Sequence, residues 1–150
     1  MKKIFLLISI IFIYSCGYSP LYLEGKKDLL INIKEIKGDS ELNNYIKNDF
    51  KVTSNENSKN IFNLKAETRY EKIILTKDAT GKATDYRLDF TAIFTLISKQ
   101  NKKVSYKESF KIKNSDEKFE QSNYEKEIKR NFSEIVKDKL VLYLLNLDDN

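Results

Sequence analysis

Alternation of apolar and polar residues dominates the middle of the chain. Between residues 62 and 70 the even-numbered positions are mostly apolar, and the odd-numbered positions are polar or charged. The same period of two recurs over residues 83–98 and 104–113, and it is typical of strands with one buried face. Turn-forming residues separate these runs at 77–82 and 99–102. The sequence therefore predicts three consecutive antiparallel strands.

Irregularities in this alternation predict local features of the strands. The alternation slips at residues 73–75, which favours a β-bulge at that point. Glu108 interrupts the apolar face of the third strand, so we expect it near an edge of the sheet. Ile93 and Ile97 are apolar residues on the polar face of the second strand, which is therefore not uniformly polar.

The segment before these strands predicts one more strand and a helix. Residues 29–36 are apolar and rich in isoleucine, which is typical of a strand. A break follows, in which Asp39 or Ser40 can cap the N-terminus of a helix. Apolar residues then recur at helical spacing, so we expect a short amphipathic helix that ends at about Lys51.

A second, longer helix is predicted at the C-terminus. After residue 116 the apolar period becomes helical, and the stripe predicted to face the core extends from Phe119 to Leu147. Most charged residues of this segment, Lys129 among them, fall off the stripe.

The predicted order of elements is strand, helix, three strands, helix. Two amphipathic helices and a sheet with one apolar face bury their apolar surfaces together when both helices cover that face. We therefore predict an α+β fold, a two-layer sandwich with a four-stranded, mostly antiparallel sheet and two helices on one face. If the first two strands are parallel neighbours, their connection should be right-handed. No repeat or second domain is visible, so residues 29–150 are predicted to form a single domain.

The N-terminal residues have the pattern of a secretory signal. Two lysines precede an apolar run at residues 4–14, and the small residue Ser15 follows it. This run is shorter than the roughly 20 apolar residues that a membrane-spanning helix needs. We therefore predict a cleaved signal peptide at residues 1–15 and a tether at residues 16–28.

The only cysteine of the chain, Cys16, lies at the predicted cleavage point. The segment Ile13-Tyr14-Ser15-Cys16-Gly17 resembles a bacterial lipobox, in which the thiol is acylated with chains such as palmitate. A lone cysteine forms neither an internal disulfide nor a structural zinc site, although it can be a chance thiol after an ordinary signal. Because an acidic residue does not follow the cysteine, the pattern resembles that of lipoproteins sent to the cell outer membrane. We expect a lipid anchor there, with the domain on the periplasmic side.

Composition argues against several classes of protein. The chain has 27 basic and 22 acidic residues, and two of the lysines lie in the predicted signal. This small basic excess is interspersed with acids, unlike the clustered basic residues of nucleic-acid-binding domains. The chain has no histidine, the commonest general base and metal ligand, and no Gly-rich phosphate loop. We therefore expect no enzymatic activity, no metal site, no cofactor and no nucleic-acid partner.

Two short motifs resemble a known family. Cys16-Gly17-Tyr18-Ser19-Pro20-Leu21-Tyr22 is similar to the start of the alphaproteobacterial lipopolysaccharide-assembly lipoproteins, the LptE-like family. Thr80-Gly81-Lys82-Ala83, followed by Tyr86-Arg87-Leu88, resembles the turn and the aromatic-Arg-Leu strand of the central hairpin in that family. The resemblance covers essentially the whole mature chain, since the C-terminal helix also falls at the corresponding place.

The resemblance implies that the protein is a plug. Members of the family sit in the lumen of a large outer-membrane β-barrel, the LptD-like assembly protein, and help it assemble. Together the two proteins insert lipopolysaccharide into the outer leaflet. Barrel lumens are lined with polar side chains, so the polar sheet face suits such a wall, although it can equally be a solvated face. Its polar positions are Asn63, Lys65, Glu67, Arg69, Asp85, Arg87, Asp89, Lys107, Lys111 and Lys113.

The resemblance also implies contact with lipopolysaccharide itself. Phosphates favour cations, and arginine can bind a phosphate through two parallel hydrogen bonds. The candidate ligands are Arg87, Lys82 and Arg69, followed by Lys77, and each can equally be an ordinary surface cation.

A second class of function stays open at this point. The protein can be a free-standing lipoprotein, facing the periplasm, that binds or carries an amphiphile as a transport auxiliary. Tyr18, Leu21 and Tyr22 of the tether suit either anchoring at the lipid interface or covering the edge of the core.

Overall fold

A computed structural model of the protein describes residues 29–98 and 100–148. The predicted signal peptide, Cys16 and the tether lie outside the described residues. Six elements follow one another in the predicted order. They are β1 (Leu29–Lys37), α1 (Ser40–Thr53), β2 (Asn60–Lys77), β3 (Ala83–Leu96), β4 (Lys103–Lys113) and α2 (Lys118–Asp148).

The strands form one sheet in the order β1-β2-β3-β4. β1 is parallel to β2, while the other neighbours are antiparallel. The predicted α+β sandwich is therefore confirmed, including its four-stranded, mostly antiparallel sheet. β4 lies at an edge, as expected for the strand that carries Glu108, whose carboxylate accepts a hydrogen bond from Lys139 of α2 over 3.0 Å.

The core lies between the two helices and one face of the sheet. Even-numbered residues of β2 and β3 point into it, so Leu64, Ala66, Leu88 and Phe94 are buried. Phe90 of β3 is at the centre of an aromatic group. Its ring centroid lies 5.1 Å from that of Tyr70, 5.8 Å from that of Phe110 and 5.3 Å from that of Phe132 on α2. Burial of the even-numbered residues thus fixes which face of each strand points to the core.

Shifts of register adjust the strands to this core. The register of β2 and β3 shifts between Ile74 and Thr76, where the sequence predicts a bulge, and again between Thr76 and Lys77. Another shift, between Ile33 and Glu35 of β1, is not predicted. Ile33 and Ile36 both pack against the core although they are three residues apart, and the extra residue between the two pairing positions makes this possible.

Helix α1 begins as the sequence predicts. The Asp39 side chain accepts a hydrogen bond from the Leu42 backbone N–H over 2.8 Å and is the N-cap. Leu42, Ile46 and Phe50 are buried on one face of the helix.

The stripe predicted for α2 is only partly correct. Ile128, Phe132, Val136 and Leu140 are buried, whereas Phe119 and Ile135 are exposed. At about 100° per residue, Phe119 lies far around the helix from Gln121, which is the buried residue of the first turns. Lys129 was also misplaced by the pattern, because it is buried rather than on the solvated side.

Candidate functional site

The face of the sheet opposite the two helices is a broad polar surface. It is called the open face below and is formed by the odd-numbered residues of β2, β3 and β4 together with the end of β1. Its charged members are Glu35, Lys37, Lys65, Glu67, Arg69, Glu71, Asp85, Arg87, Asp89, Lys103, Lys107, Lys111 and Lys113. Both signs occur along β1, β2 and β3, whereas on β4 all the charged residues of the open face are lysines.

Ion pairs link neighbouring charges across the open face. The Glu35 carboxylate lies 2.8 Å from the Lys37 ammonium and 3.2 Å from that of Lys65. Hydrogen bonds from these two lysines lower the pKa of the Glu35 carboxyl. The Asp89 carboxylate accepts a hydrogen bond from the Ser109 hydroxyl over 2.7 Å and one from Arg87 over 3.0 Å, and mainly the first lowers its pKa.

The open face has a depression rather than an enclosed pocket. A depression of about 250 Å³ lies between β2, β3 and β4, and Arg69, Asp89 and Lys107 are among its lining residues. Arg69 is 4.0 Å from Glu71, so this depression combines cations and anions. Such a surface suits a broad contact with another polar surface better than the enclosure of a small molecule.

The β2–β3 hairpin extends beyond β1 and ends in a structured tip. The Asp78 carboxylate accepts hydrogen bonds from the Thr80 hydroxyl over 2.6 Å and from the Lys82 backbone N–H over 3.0 Å. These bonds, with that of the Thr80 hydroxyl foremost, lower the pKa of Asp78. The Lys82 ammonium contacts the Asp116 carboxylate over 2.5 Å, which ties the tip to the start of α2.

The structure spreads the four predicted lipopolysaccharide ligands along the hairpin. Arg69 pairs with Thr91 across the ladder, while Arg87 pairs with Ile73, four residues further along β2 and therefore about 13 Å away. Lys77 and Lys82 flank the tip, as the sequence predicts. All four side chains are exposed, but they do not converge on a single pocket.

A buried polar cluster, which the sequence did not predict, joins α2 to the start of α1. The Lys129 ammonium lies 2.8 Å from the Glu41 carboxylate, 3.5 Å from that of Asp39 and 4.2 Å from the centre of the Tyr70 ring. The Tyr70 hydroxyl donates to Glu125 over 3.0 Å, and burial together with this carboxylate raises the tyrosine pKa. Because every member has a partner, this cluster is a structural connection rather than a ligand site.

The spacing of polar residues along α2 is a sequence signal for this cluster. Gln121, Glu125 and Lys129 follow one another at four-residue intervals and continue into the buried Phe132 and Val136. The polar residues thus extend the same face of the helix.

Within residues 29–98 and 100–148, no three acidic or cysteine side chains are arranged to hold a metal ion. In the same part of the chain, no helix is both long and apolar enough to cross a membrane.

The fold resembles those of bacterial lipoproteins of known structure. Rare lipoprotein B from Shewanella oneidensis superposes with a TM-score of 0.55 at 13% sequence identity, over 79% of this chain and 98% of that one. A minor lipoprotein from Acinetobacter baumannii gives 0.50 at 12% identity, over 73% and 90% of the two chains. A candidate lipoprotein from Caulobacter crescentus CB15 gives 0.50 at 11%, over 81% and 90%. No protein-family model and no curated protein matches the sequence.

Proposed function

We propose that the protein is a lipid-anchored lipoprotein of the outer membrane that plugs a β-barrel and helps it assemble. In this role it aids the insertion of lipopolysaccharide into the outer leaflet and has no enzymatic activity. The observation that carries the proposal is the open face, a broad polar wall on one side of a sandwich whose other side is closed by helices.

The N-terminal sequence supports the anchor. The three similar structures are of proteins described as lipoproteins or as a candidate lipoprotein, and this chain has a lipobox-like segment that ends at Cys16. Acylation at that position would hold the domain at a membrane, because chains such as palmitate contribute about 0.8 kcal/mol for each buried methylene.

The electrostatics of the open face support a polar wall as its partner. Glu35 and Asp89 on this face are paired with neighbouring cations, so these two carboxylates can meet polar side chains without becoming isolated charges away from water. The lysines of β4 add a positive margin that suits acidic groups of a barrel wall.

Co-purification tests the plug directly. The mature protein, extracted from its own membranes in detergent, should retain a β-barrel identifiable by mass spectrometry. The double variant Lys107→Glu and Lys111→Glu should lose at least about tenfold of that barrel and lower the amount of surface lipopolysaccharide. The matched control is Lys126→Glu with Arg130→Glu, which changes the net charge equally on the exposed side of α2. Equal retention of the barrel in both double variants would contradict the role of the open face.

Contact with lipopolysaccharide phosphates is a separate part of the proposal. Arg87, Lys82 and Arg69, followed by Lys77, are the proposed ligands. Arg69→Ala or Arg87→Ala should weaken binding of purified lipopolysaccharide about tenfold each, as expected for a lost charge-assisted hydrogen bond. Arg130→Ala is the matched control, because Arg130 and Arg69 are equally exposed and each lies near one glutamate. Identical affinity in all three variants would remove the arginines from the site.

One observation favours the amphiphile carrier as a second candidate. A cleft of about 340 Å³ lies between β1 and α1, lined by Ile31, Ile33 and Phe50, with Lys47 and Lys51 beside them. Its volume suits part of one acyl chain, with the lysines near an anionic head group. A detergent-extracted monomer that retains lipid but no barrel would favour this candidate over the plug.

A further inference from the structure

One end of the sandwich combines the start of the domain with exposed apolar residues. It is called the entry end below. There β1 and β2 begin, β3 ends and β4 begins, because Leu29 pairs with Asn60 and Thr95 pairs with Lys103. α1 also ends there, since the Asn55 backbone N–H donates to the Leu29 carbonyl oxygen over 3.0 Å.

Three apolar side chains at the entry end are not covered by the fold. Val52 in the last turn of α1 is 88% exposed, Ile61 of β2 is 55% exposed, and Ile97, directly after β3, is 43% exposed. The Ile97 backbone N–H donates to the Asn63 carbonyl oxygen over 2.8 Å, so Ile61 and Ile97 lie close together on neighbouring strands. Leu30 of β1 pairs with Ile61 on the other side. Leu30, Ile61 and Ile97 thus form an apolar patch at this end of the open face, and Val52 adds an exposed apolar side chain at the same end of the helix layer.

Exposed cations lie in the turns at the same end. Among the described residues of the adjoining turns, 51–61 and 96–103, the exposed charged side chains are Lys51, Lys59, Lys102, Lys103 and Glu56. Four cations and one anion give this end a net positive charge. Apolar side chains flanked by lysines are typical of surfaces that bind the interface of an anionic bilayer.

The short segment between Cys16 and the domain indicates what this surface contacts. Leu29 lies thirteen positions after Cys16, a distance of at most about 45 Å when the chain is fully extended. An acylated Cys16 would therefore keep the entry end near the bilayer. This argument rests on the lipid anchor of the proposed function.

We propose that the entry end is a membrane-contact surface. Val52, Ile61 and Ile97 enter the head-group region of an anionic bilayer, while the four lysines contact lipid phosphates. This contact directs the β2–β3 hairpin away from the membrane, because Ile61 and the hairpin tip lie at opposite ends of β2.

Two isoleucines of the same strand provide a matched test. Ile74 is 48% exposed, similar to Ile61, but lies thirteen residues further along β2, about 40 Å away. Because the natural cysteine is consumed by acylation, Ile61→Cys or Ile74→Cys provides a single reactive thiol for an environment-sensitive fluorophore. The mature acylated protein is then reconstituted in phosphatidylethanolamine–phosphatidylglycerol vesicles that contain a nitroxide-labelled lipid.

The label at position 61 should be quenched at least about threefold more than the label at position 74. Adding Lys51→Glu and Lys102→Glu to the Ile61→Cys variant should reduce this quenching about twofold, because the charge attraction is reversed. Equal quenching at the two positions would overturn the proposal. A control measures the emission of the label at position 61 in a Cys16→Ser chain without vesicles. If that emission were as blue-shifted as in the acylated protein on vesicles, the proposal would also be overturned, since the chain itself would then cover the patch.

Failure of the anchor is distinguishable from failure of the contact. Mass spectrometry of the mature N-terminus measures acylation of Cys16 independently of quenching. An unmodified thiol would contradict the proposed anchor. Acylated protein with equal quenching at both positions would contradict only the membrane contact.

Discussion

The two faces of the sheet are built from the same strands, yet they depend on different interactions. On the covered face, Phe90 is almost fully buried against rings from β2, β4 and α2. On the open face, its neighbours in sequence, Asp89 and Thr91, remain in contact with water. The covered face therefore determines whether the chain folds, whereas the open face is available for recognition. Substitutions on the two faces should separate stability from binding.

Removal of the central ring should have the largest effect. Phe90→Ala is expected to lower the free energy of unfolding by about 3–5 kcal/mol, because it removes buried area and leaves a cavity. Denaturant unfolding measures this change. Thr91→Ala, one residue away on the open face, is the control and should change stability by less than about 0.5 kcal/mol. Similar losses in the two variants would contradict the division between the faces.

A close backbone contact at the end of β1 extends the comparison. Gly38 has a φ of 110°, and a Cβ atom there would lie 1.8 Å from the Thr68 carbonyl oxygen. Gly38→Ala should therefore lower the free energy of unfolding by about 2–3 kcal/mol, from strain together with the clash. Gly81→Ala at the hairpin tip, with a φ of 86° and no atom within 4 Å, should cost only about 1 kcal/mol. Thermal unfolding of both variants would test this comparison. A larger loss of stability in Gly81→Ala than in Gly38→Ala would contradict it.

The buried cluster should have an intermediate effect. Lys129→Ala removes the cation shared by Glu41 and Asp39, so we expect a loss of about 1–3 kcal/mol in the free energy of unfolding. Lys126→Ala, on the exposed side of the same helix, should have almost no effect. Denaturant unfolding of both variants provides the measurement, and a tolerated Lys129→Ala would show that the cluster does not hold α1 and α2 together.

Substitution of Arg87 should affect binding but not stability. Its ion pair with Asp89 is exposed, and exposed pairs contribute little to stability. Arg87→Ala should leave the thermal unfolding midpoint unchanged while weakening lipopolysaccharide binding. A clearly lowered midpoint would assign Arg87 to the structure instead.

The smallest expected effect is the pH dependence of stability that Asp89 contributes. The pKa of Asp89 is lowered below its usual value of 3.8 in the folded protein, mainly by the Ser109 hydroxyl. The resulting stabilisation is present above that usual value and is lost as the pH falls through the folded pKa. The unfolding midpoint should therefore decrease below about pH 4. Asp89→Asn should flatten this decrease, and identical pH profiles would contradict the assignment.

The sequence predicts the sheet well because burial on one face imposes a strict period. The bulge near Ile74 and the edge position of Glu108 follow from departures from that same period. The helical spacing of α2 contains a signal for the burial of Lys129, but its partner Glu41, 88 residues away in the chain, could not be identified from the sequence. Phe119 was misjudged because an apolar residue near a helix end need not face the core. The spread of the candidate cations along the hairpin likewise depends on strand register, which the pattern alone does not fix.

Both edges of the sheet are poor templates for a second copy of the chain. On β4, lysines at 103, 107, 111 and 113 would meet lysines of another copy if two edges paired. On β1, the Ile31 backbone N–H is already engaged by the Ser54 hydroxyl over 3.1 Å. Self-association through strand pairing is therefore disfavoured at either side. The isolated chain would therefore remain monomeric instead of aggregating through the edges of its sheet.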